Sequence, residues 1–294
     1  MVNNDIMTIQ HWFSSGTFIL DGGWGTQLQL RGLPIGEHPD FWNLSQPDKV
    51  QEVAEAYIQA GSDIILTNTF GSNRFLLAKH GAEDKIAELN RAGVRLSKEV
   101  AQKQHRRVFA SIGPTGVMLM SGTVSPDELY AAFLEQAEAI AAEVPDGIVI
   151  ETMSDPAEAV LAVKAAKTTG LPVAACMVFD TGKNKDRTMM GTTPEQAVEQ
   201  LTAAGADIVG ANCGQGIDGF IPICQRMRAV TTLPLWMKAN AGLPEIVDDK
   251  TVYRQTPEKF AESAKELLAA GANFIGGCCG TTPEYIRALR DALV

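Results

Sequence analysis

Eight times along the chain a short apolar run is followed by an amphipathic stretch, and this alternation restricts the fold more than any other feature. Parallel strands that are each followed by a covering helix produce such a pattern. The predicted strands are Phe18–Asp21, Asp63–Thr67, Val108–Ile112, Gly147–Glu151, Val173–Val178, Asp207–Ala211, Leu235–Ala239 and Phe274–Gly277. A length of 294 residues slightly exceeds one eightfold barrel and would also hold two average domains. No linker or composition break interrupts the alternation, so the expectation is one α/β domain over residues 1–294, a single (β/α)8 barrel.

Helix starts are marked by a small polar residue before proline, at Ser125-Pro126, Asp155-Pro156, Thr193-Pro194, Thr256-Pro257 and Thr282-Pro283. Proline fits the first helical turn, and the polar side chain caps the free N–H groups. Glu128 and Glu158 stand three residues after Ser125 and Asp155, which predicts capping boxes at both. A weak repeat precedes three strands: Ala60-Gly61-Ser62-Asp63, Ala204-Gly205-Ala206-Asp207 and Ala270-Gly271-Ala272-Asn273. Its glycine is suited to ending a helix in the left-handed conformation, as a quasi-symmetric barrel requires.

Hydrophobic residues at 45% and charged ones at 20% are those of an ordinary globular chain. A net charge of −10, with no cluster of Lys and Arg, argues against nucleic acid or an anionic membrane as partner. Asn3, Asn4, Asp5, Gln10 and His11 precede any apolar run, so no leader or membrane span is expected and the compartment read is the cytoplasm. Five cysteines without a secretion signal read as thiols or metal ligands rather than a disulfide framework.

The predicted strand ends place Asp21, Thr67, Glu151, Cys213, Asn240, Cys278 and Cys279 on one rim, the face where barrels of this kind carry their active sites. Cys213 closes strand six and Cys278-Cys279 closes strand eight, only one strand away, so three sulfurs can meet at one metal. Adjacent cysteines point to opposite faces of a regular strand, so both can face the site only if the flanking glycines bend the backbone. Three thiolates and no fourth protein ligand suit a catalytic zinc, which keeps an open position, better than a closed structural one. None of His11, His38, His80 and His105 falls at a predicted strand end. Unpaired cysteines are usually buried core, and Cys176 and Cys224 are read that way. Asp21, beside the Gly22-Gly23 turn, can take an ammonium while exposed backbone N–H groups take a carboxylate. Glu151 ends an apolar strand and needs a substrate ammonium or a neighbouring base.

In these residues the chain resembles the homocysteine S-methyltransferase family, which includes betaine-homocysteine methyltransferases and the homocysteine-binding module of cobalamin-dependent methionine synthase. The resemblance runs through Asp21-Gly22-Gly23-Trp24-Gly25-Thr26, Thr67-Asn68-Thr69-Phe70, Glu151-Thr152-Met153, Gly210-Ala211-Asn212-Cys213-Gly214, Asn240-Ala241-Gly242 and Gly276-Gly277-Cys278-Cys279-Gly280. It implies zinc on Cys213, Cys278 and Cys279, and homocysteine held at its amino-acid end by Asp21, Glu151 and the backbone of Gly22 and Gly23. Gly23-Trp24 departs from the Ala-Met or Ala-Thr common in the family.

The resemblance implies methyl transfer to homocysteine, and the chemistry of such a site is consistent with it. A free thiol with a pKa near 8.5 is only about 3% ionised at pH 7. Zinc deprotonates it outright, which corresponds to about 2 kcal/mol or roughly thirtyfold in reactive species. The expected product is methionine. Trp24, Trp42, Phe70 and Tyr253 are candidates for an aromatic cage around a methylated cation, which ranks a small onium donor, betaine or a sulfonium, first. The alternative donor is a separate methyl-corrinoid protein, since after one barrel the sequence reaches Val294 without corrinoid or folate modules. Met118-Leu119-Met120 is then a candidate docking patch. Two further alternatives are a Schiff-base aldolase acting through Lys238 and a non-catalytic zinc barrel.

Overall fold

The computed structural model describes residues 16–247 and 250–294, so the leader reading over Asn3–His11 lies outside the described residues. Eight parallel strands are observed: β1 (Phe18–Ile19), β2 (Ile64–Ile65), β3 (Arg107–Ile112), β4 (Gly147–Met153), β5 (Val173–Met177), β6 (Ile208–Gly216), β7 (Leu235–Asn240) and β8 (Phe274–Gly277). Each pairs with its neighbour in chain order, β8 pairs with β1, and a parallel bridge between Leu20 and Ile64 closes the ring. Helices follow the strands on the outside, and the fold is the expected (β/α)8 barrel. β1 and β2 are shorter than predicted because their pairing continues through side chains: Leu66 N–H donates to the Asp21 carboxylate at 2.6 Å where a ladder would use a carbonyl.

The lumen is filled from the strands' inward faces, where Phe18, Phe274, Trp236 and Phe109 form a chain of ring contacts 5.2 to 5.4 Å apart. Small residues make room for them: a Cβ on Gly147 would stand 2.5 Å from the Phe109 ring. Cys176 is buried in this lumen and Cys224 in the layer between sheet and helices.

The repeat is a strand clamp. Gly61, Gly205 and Gly271 all have φ near +105°, as expected of a left-handed helix end, at +107°, +102° and +106°. Two residues on, Asp63, Asp207 and Asn273 accept the N–H groups of Ile19, Val173 and Leu235 at 2.8 to 3.0 Å, so each even-numbered strand ties down the odd one before it. Asp146 does the same for Val108 at 2.8 Å before β4, and there the left-handed position falls to Val144, at φ 48°.

The helix caps correct two expectations. Ser125 and Glu128 form the predicted capping box, and Asp155 caps through the Ala157 N–H. Glu158 does not complete a box, because the backbone N–H and hydroxyl of Thr115 both claim its Oε1 at 2.8 and 2.6 Å. Thr282 makes no side-chain cap; its hydroxyl turns to Glu284. Thr193 forms a box with Gln196 that the acidic pattern did not flag. A hairpin of Pro244–Val247 and Lys250–Tyr253, also unpredicted, is inserted between β7 and its helix. No helix among the described residues is long and apolar enough to cross a membrane.

Candidate active site

Cys213, Cys278 and Cys279 converge, with every sulfur within 4.8 Å of the others and Cys213 Sγ 3.8 Å from Cys279 Sγ. Irregular backbone brings them there. β6 loses register between Asn212 and Gly216, and Cys213 itself is left-handed at φ 61°. β8 stops at Gly277, and the Cys278 carbonyl accepts from the N–H and hydroxyl of Thr281 in a turn. The Cys279 N–H is held by Asn240 Oδ1 at 3.1 Å, and the ring of Tyr253, on the hairpin, packs over Gly280 beside it.

The three thiols compete for one negative charge. Hydrogen bonds from Cys278 and then Cys279 hold Cys213 down to about 3, while the bond with Cys213 pushes Cys278 well up and Cys279 to about 11. Only a cation among them lets all three ionise. Soft sulfur donors with this spacing can hold a metal ion, and no His, Asp or Glu among the described residues joins the group as a fourth ligand.

A second cluster of charge lies deeper. Lys238 and Asp21, 2% and 0% exposed, form a buried ion pair. Asp21 Oδ2 also accepts from Trp24 Nε1 and Leu66 N, both at 2.6 Å. Burial pulls Lys238 down, but Asp21 and Glu151 outweigh it and leave its affinity for a proton raised, so it stays ammonium. A buried ammonium paired with Asp21 counts against the Schiff-base reading, which needs a neutral amine. Burial raises the Glu151 carboxyl, and Lys238 partly offsets this. Glu151 Oε1 accepts the Ser111 hydroxyl at 2.5 Å, whereas Oε2 has only a long contact of 3.4 Å to Asn212. Asn212 also holds Thr152, at an unusual φ of 64°, through both its N–H and its hydroxyl. Strained backbone thus collects beside the thiols, as it does at working sites.

Both clusters face one cavity of about 450 Å³. Cys213, Cys278, Cys279, Glu151 and Lys238 line it on one side; Trp24, Phe70, Leu76 and His38 line it elsewhere. Asp21 is not among its lining residues. Gly22 and Gly23 are, and a Cβ on either would collide with Thr281 or the Cys278 carbonyl, at 2.8 and 2.6 Å. The Gly23 N–H is already engaged by Thr281 O and Oγ1 at 3.2 and 3.1 Å. Of the four candidate cage aromatics, Trp24 and Phe70 reach the cavity. Trp42 is 3% exposed within the core and Tyr253 sits over Gly280 and Cys279, so neither belongs to a cage. His38 had no strand-end signal, yet it lines the cavity, with Nε2 buried, without a hydrogen bond and 4.0 Å from the Asp40 carboxylate.

A family model described as homocysteine S-methyltransferase matches residues 18–293, nearly the whole chain. The chain belongs to the homocysteine S-methyltransferase family. The description of that family names methyl transfer to the sulfur of homocysteine. Methionine synthase of Mycobacterium leprae is 28% identical over 288 residues, covering 93% of this chain but 24% of that one, so the chain spans about a quarter of this curated relative. The metallated form of the homocysteine methyltransferase MmuM from Escherichia coli has the same fold, with a TM-score of 0.81 at 22% identity over 98% of this chain and 99% of that one. Its apo form gives 0.74 at 21% identity, over 95% and 96%. In this family member, the Gly23-Trp24 departure has a structural meaning. Glycine lets the first loop press against the Cys278 carbonyl, and Trp24 both walls the cavity and ties Asp21 down.

Proposed function

We propose that this chain is a zinc-dependent homocysteine S-methyltransferase that moves a methyl group from a small onium donor, betaine or a sulfonium, to the homocysteine thiolate and forms methionine. The convergence of three cysteine sulfurs on one wall of a single cavity carries the reading. Zinc–sulfur bonds of about 2.3 Å in a tetrahedron separate the sulfurs by about 3.8 Å, and Cys213 and Cys279 stand 3.8 Å apart. Three donors leave the open position of a catalytic site. Bound zinc supplies a Lewis acid that keeps a substrate thiol ionised at neutral pH. With zinc held by Cys213, Cys278 and Cys279, three cysteinates and a substrate thiolate would sum to a formal charge of −2, which would leave electron density on the substrate sulfur. The metallated E. coli homocysteine methyltransferase and the M. leprae methionine synthase support the metal and the product in this reading.

The chain's own residues orient the substrate. Glu151 offers its weakly engaged oxygen to the substrate ammonium. Gly22 and Gly23 hold the loop close to the cysteines, and Asp21 acts from beneath by fixing Lys238 and Trp24. Trp24, Phe70 and Leu76 give an onium an apolar wall with two aromatic faces, and the His38 Nε2 offers a polar partner to the donor's other end.

Glu151→Gln should raise the homocysteine KM about ten- to a hundredfold, the worth of one charge-assisted hydrogen bond, while zinc content is unchanged. A fall in zinc with unaltered KM would remove the role given to Glu151.

A second reading takes the methyl group from a separate methyl-corrinoid protein. It is favoured by Met118, Met189 and Met190, exposed around a 270 Å³ cleft, with Met120 exposed nearby and Leu119 turned partly inward. A panel of betaine, sulfonium donors and a methylated corrinoid protein separates the two. Methionine from an onium at millimolar concentration is the expected result; turnover with the corrinoid protein alone would reverse the order of donors.

A further inference from the structure

We propose that Lys238 binds the carboxylate of the thiol substrate, so that Lys238 and Glu151 together recognise a zwitterionic amino-acid end. The inference rests on the thiol-substrate reading above and is independent of the donor. Of the groups expected to hold that end, Asp21 and the Gly23 N–H are already occupied. Asp21 is fully buried, and both of its oxygens are taken, one by Lys238 and the other by Trp24 Nε1 and Leu66 N. The Gly23 N–H is spent on Thr281.

What faces the cavity in their place is a cation and an anion. The Lys238 ammonium has three hydrogens, and its one hydrogen bond among the described residues, to Asp21, leaves two for a ligand. Lys238 lines the same cavity as the three cysteines. Glu151, close enough to Lys238 for each to shift the other's protonation, keeps Oε2 nearly free. An α-amino acid carries its carboxylate and ammonium on one carbon, and so satisfies both residues at once. A thiol with the amine alone leaves the buried Lys238 hydrogens unmet; a thiol with the carboxylate alone leaves Glu151 unmet. Asp21 in this arrangement is a positioning residue. It holds the ammonium against burial, and Trp24 and Leu66 hold Asp21.

Calorimetric binding to the zinc-loaded protein tests this without a methyl donor, using homocysteine, 4-mercaptobutyrate and 3-mercaptopropylamine. Lys238→Met should weaken homocysteine and 4-mercaptobutyrate about ten- to a hundredfold. Binding of 3-mercaptopropylamine should stay within about twofold of its original value. Because Lys238→Met leaves Asp21 unpaired, the double variant Asp21→Asn/Lys238→Met, in which the buried charge is balanced, should show the same selectivity if the single one folds poorly. Equal weakening of all three thiols, or of none, would overturn the proposal and leave Lys238 as a support for Asp21. Failure of the unaltered protein to bind any thiol would instead overturn the thiol-substrate reading itself, and this proposal with it.

Discussion

Cys213→Ala, Cys278→Ala and Cys279→Ala are each expected to abolish methyl transfer, with a loss on the order of 10³-fold or more, while the barrel stays folded. Ionisation of the substrate thiol accounts for only about thirtyfold of that. The remainder comes from losing the fixed place of the sulfur beside the methyl carbon, where effective molarity is gained. All three cysteines are only half-buried and stand on the rim, outside the lumen and the sheet–helix layer, so truncation removes little packing. Zinc should fall from about one per chain to a small fraction, since two thiolates cannot hold it as three do. Turnover, metal analysis and a thermal melt on the same samples check all three statements. A variant that lost its metal yet kept full turnover would overturn the mechanism.

The largest expected effect on stability is that of Asp21→Asn. Three donors reach Asp21: the Lys238 ammonium on one oxygen, and Trp24 Nε1 and Leu66 N on the other. An asparagine turns one of those acceptors into a donor and leaves a 2% exposed ammonium without its counter-charge. Breaking a buried pair in this way costs about 3–5 kcal/mol. Glu151 nearby relieves part of it, which favours the lower end, and a melting temperature lower by roughly 10 °C is expected. Adding Lys238→Met should recover most of the loss, because the buried charge is then removed together with its partner. An Asp21→Asn protein that melts within about 2 °C of the original would show that the pair contributes little.

Much of this molecule is written in local patterns. β8 was predicted to the residue, and the left-handed glycines at 61, 205 and 271 followed from one repeated tetrapeptide. The same clamp before β4 was invisible because Val144 stands in the glycine's place, and a β-branched residue gives no sign of positive φ. Glu158 shows the opposite error: its spacing fits a capping box, but Thr115, 43 residues away, binds it first. The convergence of the three cysteines was legible because Cys213 and Cys278-Cys279 each close a predicted strand. The charge cluster beneath was not, since Asp21 and Lys238 lie 217 residues apart and only barrel closure joins them. Trp42 and Trp24 carry the same ring. Packing alone decides that one is core and the other a cavity wall.

The central claim is that homocysteine sulfur becomes the fourth ligand at a three-cysteine zinc site. X-ray absorption at the zinc edge, recorded on the purified protein before and after homocysteine is added, tests it most directly. The account predicts three sulfurs and one lighter atom at first, and four sulfurs at about 2.3 Å once homocysteine is present. A shell already complete with four protein ligands, unchanged by homocysteine, would contradict it.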